Sequence, residues 1–489
     1  MAPFTYRLDL YEFLRANTAR ILEEADRVAA GLRIPAELKG RFGISGSNSG
    51  CPALLRRDIA EAIRKASREV LPLNRLGDEI RRVVKSVYGD AYDAAPVNTC
   101  EAGLWIAYDA LIAPPLMGRG EPYRARCIAP LERHIEHHLS YGRPFPGKYK
   151  DIFADRGATA GELGLLGRRQ ENVDIVMVPL AGARYEVHGV KSYPCPLLMG
   201  VDPEASRDAL RRAAEIHAAA LTGFISLGYD TVGYGYGAKD PDGTPVLQRG
   251  IGELAAAFGV PYISDNAWGA PFIGTDLRKT GADVMLYSMD KVAGAPTSGL
   301  VIGREEAMVQ VRRALGIHGD RWGTTSSHGK ASHVAADPGK EAMSGMLAAL
   351  RVLRDQPKLV TGPIDETHAI VLEEYDRVRG ALGDGIVISK SYNGGGVEVN
   401  YEGTWENGRM GIPIFSHEDR VAGSNLINLC MSRMGVIPNL AEDANLLVSL
   451  GLGTADEDGT LVADRMRLAV RTMFAAIQLV AEWAEKGPR

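Results

Sequence analysis

The stretch PYISDNAWGAPFIG, residues 261–274, is followed closely by VMLYSMDKVAGAPTSGLVIG, residues 284–303. Short apolar runs in these stretches predict three buried strands, at 261–264, 283–287 and 299–302. Asp265 follows the first strand, and Ser288 and Lys291 follow the second. Residue 291 lies 26 positions after residue 265, which leaves enough chain for the second strand to return beside the first. We therefore expect a carboxylate and an amine to face one crevice at the edge of a sheet.

The combination of Asp265 and Lys291 points to pyridoxal phosphate chemistry. A lysine amine forms a Schiff base with this cofactor, and a carboxylate keeps the pyridine nitrogen protonated so that the ring can accept electrons. Each residue alone has an ordinary alternative, because Asp265 can be a turn residue at a strand end and Lys291 a solvated lysine. The spacing and the strand context together favour the cofactor.

Strands and helices alternate through residues 88–310, which we take as the large, cofactor-binding domain. Further strands and helices are predicted before the quoted stretches, with strands at 126–129, 173–178 and 222–227 and helices at 204–221 and 250–259. This alternation predicts an α/β fold whose mostly parallel sheet is covered by helices on both faces. Ligands of such sheets bind at the carboxyl ends of the strands.

The remaining residues divide into three segments. Residues 1–87 have helical periodicity, and we expect them to contribute to the small domain and to the entrance of the active site. Residues 311–384 are a predicted helical connection. Residues 385–489 mix strands, at 385–390 and 396–401, with helices, which predicts a C-terminal small α+β domain.

The composition excludes several classes of protein. The 489 residues include 56 Lys and Arg against 61 Asp and Glu, for a net charge of −5, and 45% are hydrophobic. This balance is ordinary for a globular protein and lacks the basic excess of a nucleic-acid-binding one. The five cysteines form no CxxC pair, which favours a reducing compartment. We expect a cytoplasmic protein without nucleic-acid or membrane partners.

The chain resembles the fold type I pyridoxal-phosphate enzymes, the aspartate aminotransferase superfamily. Residues 265–268, Asp-Asn-Ala-Trp, are similar to its Asp-x-Ala or Asp-Asn-Thr-aromatic element, and residues 288–291, Ser-Met-Asp-Lys, to its Ser-x-x-Lys. Gly299 belongs to the glycine-containing strand that usually follows. The resemblance implies a large domain with a sheet of the seven-stranded type, a smaller α+β domain and a homodimer.

The same resemblance implies roles for the residues of these motifs. Asp265 would contact the pyridinium, Ala267 would lie beside the cofactor, and Ser288 would contact its phosphate. Lys291 would hold the cofactor as a Schiff base and later carry protons. Asp290 departs from the commonest motif, and an acid close to the Schiff-base lysine would favour its protonated form.

A helix start early in the large domain is the candidate phosphate site. Thr99, Cys100 and Glu101 lie at or just before the first turn of this helix, where free N–H groups and the helix dipole attract an anion. The family places the cofactor phosphate at this location. Thr99 could equally be a plain N-cap without a ligand.

Two further cofactor contacts are suggested by position. LERH, residues 131–134, is similar to the Glu-His-His of the cysteine desulfurase branch, which implies that His134 stacks on the pyridine ring and takes part in catalysis. The alternatives are an ordinary surface histidine or a metal shared with His138, four residues on. Asp230 lies in the Gly- and Tyr-rich segment 228–237, where the family has ring ligands.

Substrate-binding candidates lie in three separate segments. Met466-Arg467-Leu468 is similar to the Val-Arg-Leu of the tryptophanase and tyrosine phenol-lyase branch, which implies that Arg467 binds the substrate carboxylate. A solvated helix face is the alternative, and Arg409 and Arg433 are in reserve. Three other candidates come from glycine-rich loops. Ser47 and Asn48 lie in a segment that is either a flexible linker or close to a ligand, and Tyr234 lies in a loop that either lines the active site or is an exposed turn.

These features predict a pyridoxal-phosphate-dependent lyase or transferase acting on an amino acid, through an external aldimine and a quinonoid. The motifs resemble several branches, those of γ-synthases and γ-lyases, β-eliminating lyases and desulfurases. They favour elimination or replacement at Cβ or Cγ of a sulfur-bearing amino acid, of the methionine or adenosylmethionine type, with or without a second small-molecule substrate. The alternatives are an aminotransferase and a non-catalytic binding protein that keeps the fold.

Overall fold

The protein is described by a computed structural model. It describes residues 4–5, 8–46, 52–112, 125–130, 173–178, 192–193, 202–232, 235–315, 336, 338–401, 404, 423–439 and 445–488.

Strands alternate with helices through the middle of the described chain. The strands are β1 (Phe4–Thr5), β2 (Tyr92–Val97), β3 (Ala125–Pro130), β4 (Val173–Val178), β5 (Ser192–Tyr193), β6 (Leu221–Leu227), β7 (Tyr262–Asp265), β8 (Val284–Ser288), β9 (Gly299–Arg304), β10 (Val387–Ser391), β11 (Gly396–Asn400) and β12 (Asn445–Val448). The helices are α1 (Leu8–Ala16), α2 (Thr18–Leu32), α3 (Arg57–Arg68), α4 (Leu73–Tyr88), α5 (Cys100–Ala107), α6 (Pro203–Ile216), α7 (Val246–Phe258), α8 (Leu277–Thr280), α9 (Glu305–Ala314), α10 (Lys340–Asp355), α11 (Lys358–Leu382), α12 (Gly423–Met434) and α13 (Ala463–Glu485).

A sheet that has seven strands within the described residues forms the centre of the molecule, in the order β2-β9-β8-β7-β6-β3-β4. Neighbouring strands from β8 through β4 are parallel, and β9 runs antiparallel to β8 and β2. Strands β7 and β8 are buried along their whole length, as expected for a sheet covered on both faces. The predicted α/β fold, with its mostly parallel sheet and smaller α+β part, is confirmed.

The register brings several strand ends to one edge of this sheet. Leu227 pairs with Asp265, and Asp265 pairs in turn with Leu286. Ser288 at the end of β8 pairs with Gly299, which also pairs with Val97 at the end of β2. The carboxyl ends of β2, β6, β7 and β8 therefore lie together, as the sequence predicts for the candidate site.

Two hydrophobic cores organise the described residues. The first surrounds the central sheet and includes residues of α3, α4 and α10. The second joins α1, α2, α11, α12 and α13 to a small antiparallel sheet of β10, β11 and β12. The helices before residue 88 are thus shared between the two cores, and the proposed domain boundaries stay a prediction.

A buried ion cluster fixes the outer strand β2 to two helices. The Asp93 carboxylate is fully buried and accepts hydrogen bonds from Arg81 Nε (2.7 Å) and Nη2 (2.6 Å) of α4. Arg312 of α9 also binds Asp93 and reaches Glu305 at 3.1 Å. Burial alone would raise the pKa of Asp93, but the Arg81 hydrogen bond and the Arg312 charge outweigh it and hold the pKa below its ordinary value.

Replacing Asp93 with alanine should destabilise the fold by about 3 kcal/mol, because two buried guanidinium groups lose their shared partner. The wild type should also lose stability in acid. Because the pKa of Asp93 is lowered in the folded state, the stabilisation is complete above the unfolded-state pKa and is lost as the pH falls through the folded-state pKa. Urea unfolding at neutral and acidic pH measures both effects. Asp384→Ala, at an exposed carboxylate, is the control, and equal midpoints for the two variants would contradict the prediction.

Within the described residues, no helix is long and apolar enough to cross a membrane.

Candidate active site

The end of β7 delivers a buried carboxylate. Asp265 has no exposed surface, and its Oδ1 accepts a hydrogen bond from the Ala267 N–H at 3.1 Å. The Cys100 Sγ, at the start of α5, lies 3.9 Å from the same oxygen. Asp265 is therefore held by its own turn on one side and faces the start of α5 on the other.

The turn after β8 delivers Lys291 to an aromatic wall. Its Nζ lies 5.4 Å from the centroid of the Trp268 ring, over the ring face. Trp268 is stacked on Tyr229, with ring centroids 5.3 Å apart and an interplanar angle of 7°. The turn is closed by a hydrogen bond from the Gly294 N–H to the Lys291 carbonyl at 2.9 Å. The ammonium is thus placed beside a stacked aromatic pair that follows the ends of β6 and β7.

The start of α5 forms a cradle beside these residues. Thr99 is the N-cap, and its Oγ1 accepts a hydrogen bond from the Ala102 N–H at 3.0 Å. A Cβ at Gly299 would lie 2.5 Å from the Cys100 backbone nitrogen, so only glycine lets β9 approach this helix end so closely. The N–H groups of the first turn and the helix dipole make this cradle a place for an anion.

Carboxylates also surround the cradle. Ser288 Oγ donates to Asp290 Oδ1 at 2.5 Å. Burial raises the pKa of the Cys100 thiol well above its ordinary value, and the charge of Asp265 adds to this effect while that of Lys291 opposes it. Asp290 and Glu101 raise the same pKa further. Cys100 is therefore a neutral thiol, able to donate to Asp265.

Alkylation of the folded protein with iodoacetamide should leave Cys100, Cys127 and Cys430 unmodified. All three are buried, and burial raises the pKa of Cys430 to about 12 and that of Cys100 well above its ordinary value, so the reactive thiolate is scarce. Peptide mass analysis measures the labelling, with urea-unfolded protein as the control. Rapid labelling of Cys100 in the folded chain would contradict this arrangement.

The end of β6 carries Asp230, and the turn between β10 and β11 reaches it from the second core. Asp230 pairs with Lys239 Nζ at 2.7 Å and accepts a hydrogen bond from Ser391 Oγ. Asn266, next to Asp265, donates to Asn393 Oδ1 at 2.6 Å. Sequence reasoning missed Ser391 and Asn393. The three glycines that follow Asn393 were the available signal of a close backbone approach.

Solved structures share this arrangement of elements. An S-selective transaminase from Bacillus megaterium matches with a TM-score of 0.53 and 14% identity, over 88% of this chain and 86% of that one. The complex of SepCysS with the SepCysE N-terminal domain matches with a TM-score of 0.51 and 11% identity, over 91% of this chain and 97% of that one. This chain has the fold of the fold type I enzymes.

At these identities the likeness shows the fold alone. No protein-family model matches the sequence, and no curated protein matches it significantly.

Arg467 lies on α13 in a cluster of charged side chains. It binds Glu373 and lies 3.4 Å from Glu374 Oε1. Arg471 holds the same Glu374 with two 3.0 Å hydrogen bonds, and these contacts lower the pKa of Glu374 despite its burial. Two carboxylates of α11 thus contact the Arg467 guanidinium. Its predicted role in binding a substrate carboxylate, which requires exchange of these partners, stays a prediction.

Of the remaining candidates for binding the substrate or the cofactor ring, Arg433 is the one within the described residues. Arg433, held in reserve, pairs with Asp26 of α2 at 2.9 Å. The following lie outside the described residues: Ser47, Asn48, His134, Tyr234 and Arg409.

Proposed function

We propose that this chain is a pyridoxal-phosphate-dependent enzyme acting on an amino acid, with its active site at the carboxyl edge of the central sheet. One observation carries the proposal. A fully buried carboxylate, Asp265, ends one strand, and the amine of Lys291 follows the adjacent parallel strand. Ala267 and Trp268, two and three residues after Asp265, contact Asp265 and Lys291 respectively. A buried carboxylate of this kind needs a partner of opposite charge or a donor.

The donor set suits the cofactor in three places. The buried Asp265 carboxylate, which accepts the Ala267 N–H and lies beside the neutral Cys100 thiol, is a strong acceptor of the kind that a protonated ring nitrogen requires. Lys291 supplies the amine. Gly299 lets β9 pack closely against the start of α5, the proposed phosphate cradle, and four residues border it: Thr99, Cys100, Glu101 and Ser288.

When bound, pyridoxal phosphate would supply an electron sink for negative charge at the substrate Cα. Asp265 would hold a proton at the ring nitrogen, since its burial strengthens the interaction of its charge with that proton. The Nζ of Lys291 would bind the cofactor and then move protons at the substrate carbon atoms. Trp268 and Tyr229 would exclude water from the face of the site next to Nζ.

The carboxylates near the cradle set a requirement of their own. Asp290 and Glu101 place negative charge where a phosphate dianion would bind, so the helix N–H groups must outweigh this repulsion. The hydrogen bond from Ser288 to Asp290 would have to open for the Ser288 hydroxyl to donate to phosphate. We infer that cofactor binding includes this rotation of the Ser288 side chain.

The proposed reaction is elimination or replacement at Cβ or Cγ of a sulfur-bearing amino acid. The support is the Asp-Asn-Ala-Trp sequence at 265–268, which is similar to that of the γ-synthase and γ-lyase branch. Transamination is the other reaction of this fold that the sequence leaves open, and it makes a different set of products.

Product analysis separates these reactions. The purified protein, loaded with pyridoxal phosphate, is incubated with a panel of amino acids that includes methionine and adenosylmethionine. Elimination releases ammonia, an oxo acid and the sulfur-bearing leaving group without an added oxo acid. Transamination releases no ammonia and converts an added oxo acid into its amino acid. Absence of every product with every amino acid would favour the non-catalytic alternative.

A further inference from the structure

The turn between β10 and β11 connects the second core to the candidate site. We call residues 390–396 the bridging turn. Lys390 binds the Asp365 carboxylate of α11, and Tyr392 Oη donates to it at 2.6 Å. The residues between and after them, Ser391 and Asn393, contact the ends of β6 and β7 instead. Successive side chains therefore alternate between the small sheet's own helix and the active-site edge, as they do along a strand.

Asn393 spans the ends of two strands with its amide group. Its Nδ2 donates to the Gly228 carbonyl after β6 at 2.6 Å, and its Oδ1 accepts from Asn266 Nδ2 after β7 at 2.6 Å. The orientation is fixed, because only the NH2 group can satisfy a carbonyl. Asn393 and Asn266 are both fully buried, so losing either bond leaves a polar group without water.

Glycines make the room that this bridge needs. A Cβ at Gly274 would lie 2.6 Å from the Asn393 Cβ, and a Cβ at Gly228 would lie 2.6 Å from the Asn266 Cβ. In the same way, Asn266 leaves no space for a side chain at position 269, and Thr231 leaves none at position 394. The close packing fits the two asparagines and little else, which indicates a built contact.

Asp265 is the last residue of β7, one of the two strands whose ends Asn393 joins. The Gly228 N–H donates to the Asp265 carbonyl at 2.6 Å, and the Asn266 N–H donates to the Leu286 carbonyl at 2.9 Å. Asn393 thus holds both Gly228, which is hydrogen-bonded to the Asp265 backbone, and Asn266, the residue after Asp265. Ser391 adds a second anchor by donating to Asp230, which also pairs with Lys239.

We infer that Asn393 is a positioning residue for Asp265. It brings the second core onto the ends of β6 and β7 and so fixes the backbone on which the carboxylate stands; its relevance to catalysis rests on the function proposed above. Without this bridge the backbone at the end of β7 opens more often, and the Asp265 carboxylate is no longer held in one orientation toward the cofactor.

The first test needs no cofactor. Hydrogen exchange is measured on the wild type and on Asn393→Ala, with Asn400→Ala as the matched control. Asn400 also donates to a buried asparagine, Asn445, at 2.7 Å, but entirely within the small sheet. We expect about tenfold or greater acceleration for the amides of residues 226–230 and 264–269 in Asn393→Ala, and no acceleration there in Asn400→Ala. Equal exchange in those segments for both variants would overturn the inference.

The second test uses the bound cofactor without measuring turnover. In Asn393→Ala, the pH at which the visible absorption of bound pyridoxal phosphate changes should move, because Asp265 is less well placed to hold the ring proton. Asn266→Ala combined with Asn393→Ala should shift it no further than Asn393→Ala alone, since the hydrogen bond between the two side chains is already lost in that single variant. An unmoved pH midpoint, with exchange accelerated, would reduce Asn393 to a structural residue.

A milder variant guards against misfolding. If Asn393→Ala does not fold, Asn266→Ala keeps the Asn393 hydrogen bond to Gly228 and removes the one between the two amide groups, so accelerated exchange is expected at residues 264–269. Failure of the proposed function gives a different result. Wild-type protein that does not bind pyridoxal phosphate would leave the exchange difference intact and remove only the absorption result.

Discussion

Changing Lys291 to alanine should abolish the covalent attachment of pyridoxal phosphate and lower the rate of amino-acid turnover by at least about 10²–10⁴-fold. Two functions are removed together, since the same Nζ would bind the cofactor and move protons. The Trp268 ring beside Nζ remains, so the variant should keep its fold. The measurements are the visible absorption of the loaded protein, the rate of product release and the far-ultraviolet circular dichroism.

Lys279→Ala is the matched control for this change. Lys279 lies on α8, with a largely solvent-exposed side chain that reaches Asp242 at 3.6 Å, away from the carboxyl edge of the sheet. The control should retain the visible absorption and a rate within about twofold of the wild type. A Lys291→Ala protein that keeps both the visible absorption and the rate would contradict the role of Lys291.

Changing Asp265 to asparagine should lower the turnover rate by about 10²–10³-fold while the cofactor still attaches to Lys291. Asparagine has nearly the same shape, and its carbonyl oxygen can accept the Ala267 hydrogen bond, so the turn is preserved. The substitution removes the negative charge and replaces the second carboxylate oxygen with an NH2 group, which cannot accept the ring proton. Steady-state rates, together with the dissociation constant of the cofactor, separate this electrostatic effect from a binding defect.

Asp283→Asn provides the comparison at the opposite edge of the sheet. Asp283 precedes β8, accepts the Tyr262 N–H at 2.8 Å, and burial raises its pKa. Like Asp265 it is a strand-end carboxylate, but it is only partly buried and lies at the amino ends of the strands. The rate of Asp283→Asn should stay within about twofold of the wild type. Equal losses in the two variants would mean that the effect of Asp265 is structural.

Strands β7 and β8 could be predicted because each is formed by a continuous run of mostly apolar residues. The stretches before Asp265 and Ser288 have this pattern, and the structure confirms both strands to within one or two residues. Strand β2 was missed because YDAAPV, residues 92–97, contains Asp93 and a proline and lacks the pattern. Its charge is neutralised by Arg81 and Arg312, which only the tertiary structure brings to it.

The candidate site was predictable where its residues follow one another in a motif and not where distant segments meet. Asp265, Ser288 and Lys291 belong to two neighbouring strands, so topology alone places them at one edge. Asn393 is 127 residues from Asn266, and the three glycines after Asn393 indicate a close backbone approach without identifying its partner. Arg467 was selected for its geometry toward a carboxylate, and in the structure the carboxylates of Glu373 and Glu374 meet it.

The most direct measurement is the site at which borohydride fixes pyridoxal phosphate to the protein. Purified chain is loaded with the cofactor, reduced, digested and mapped by mass spectrometry. We expect the pyridoxyl group on the peptide that contains Lys291, at close to one group per chain, and its absence from that peptide in Lys291→Ala. Labelling spread over surface lysines, or no labelling of the Lys291 peptide, would contradict it.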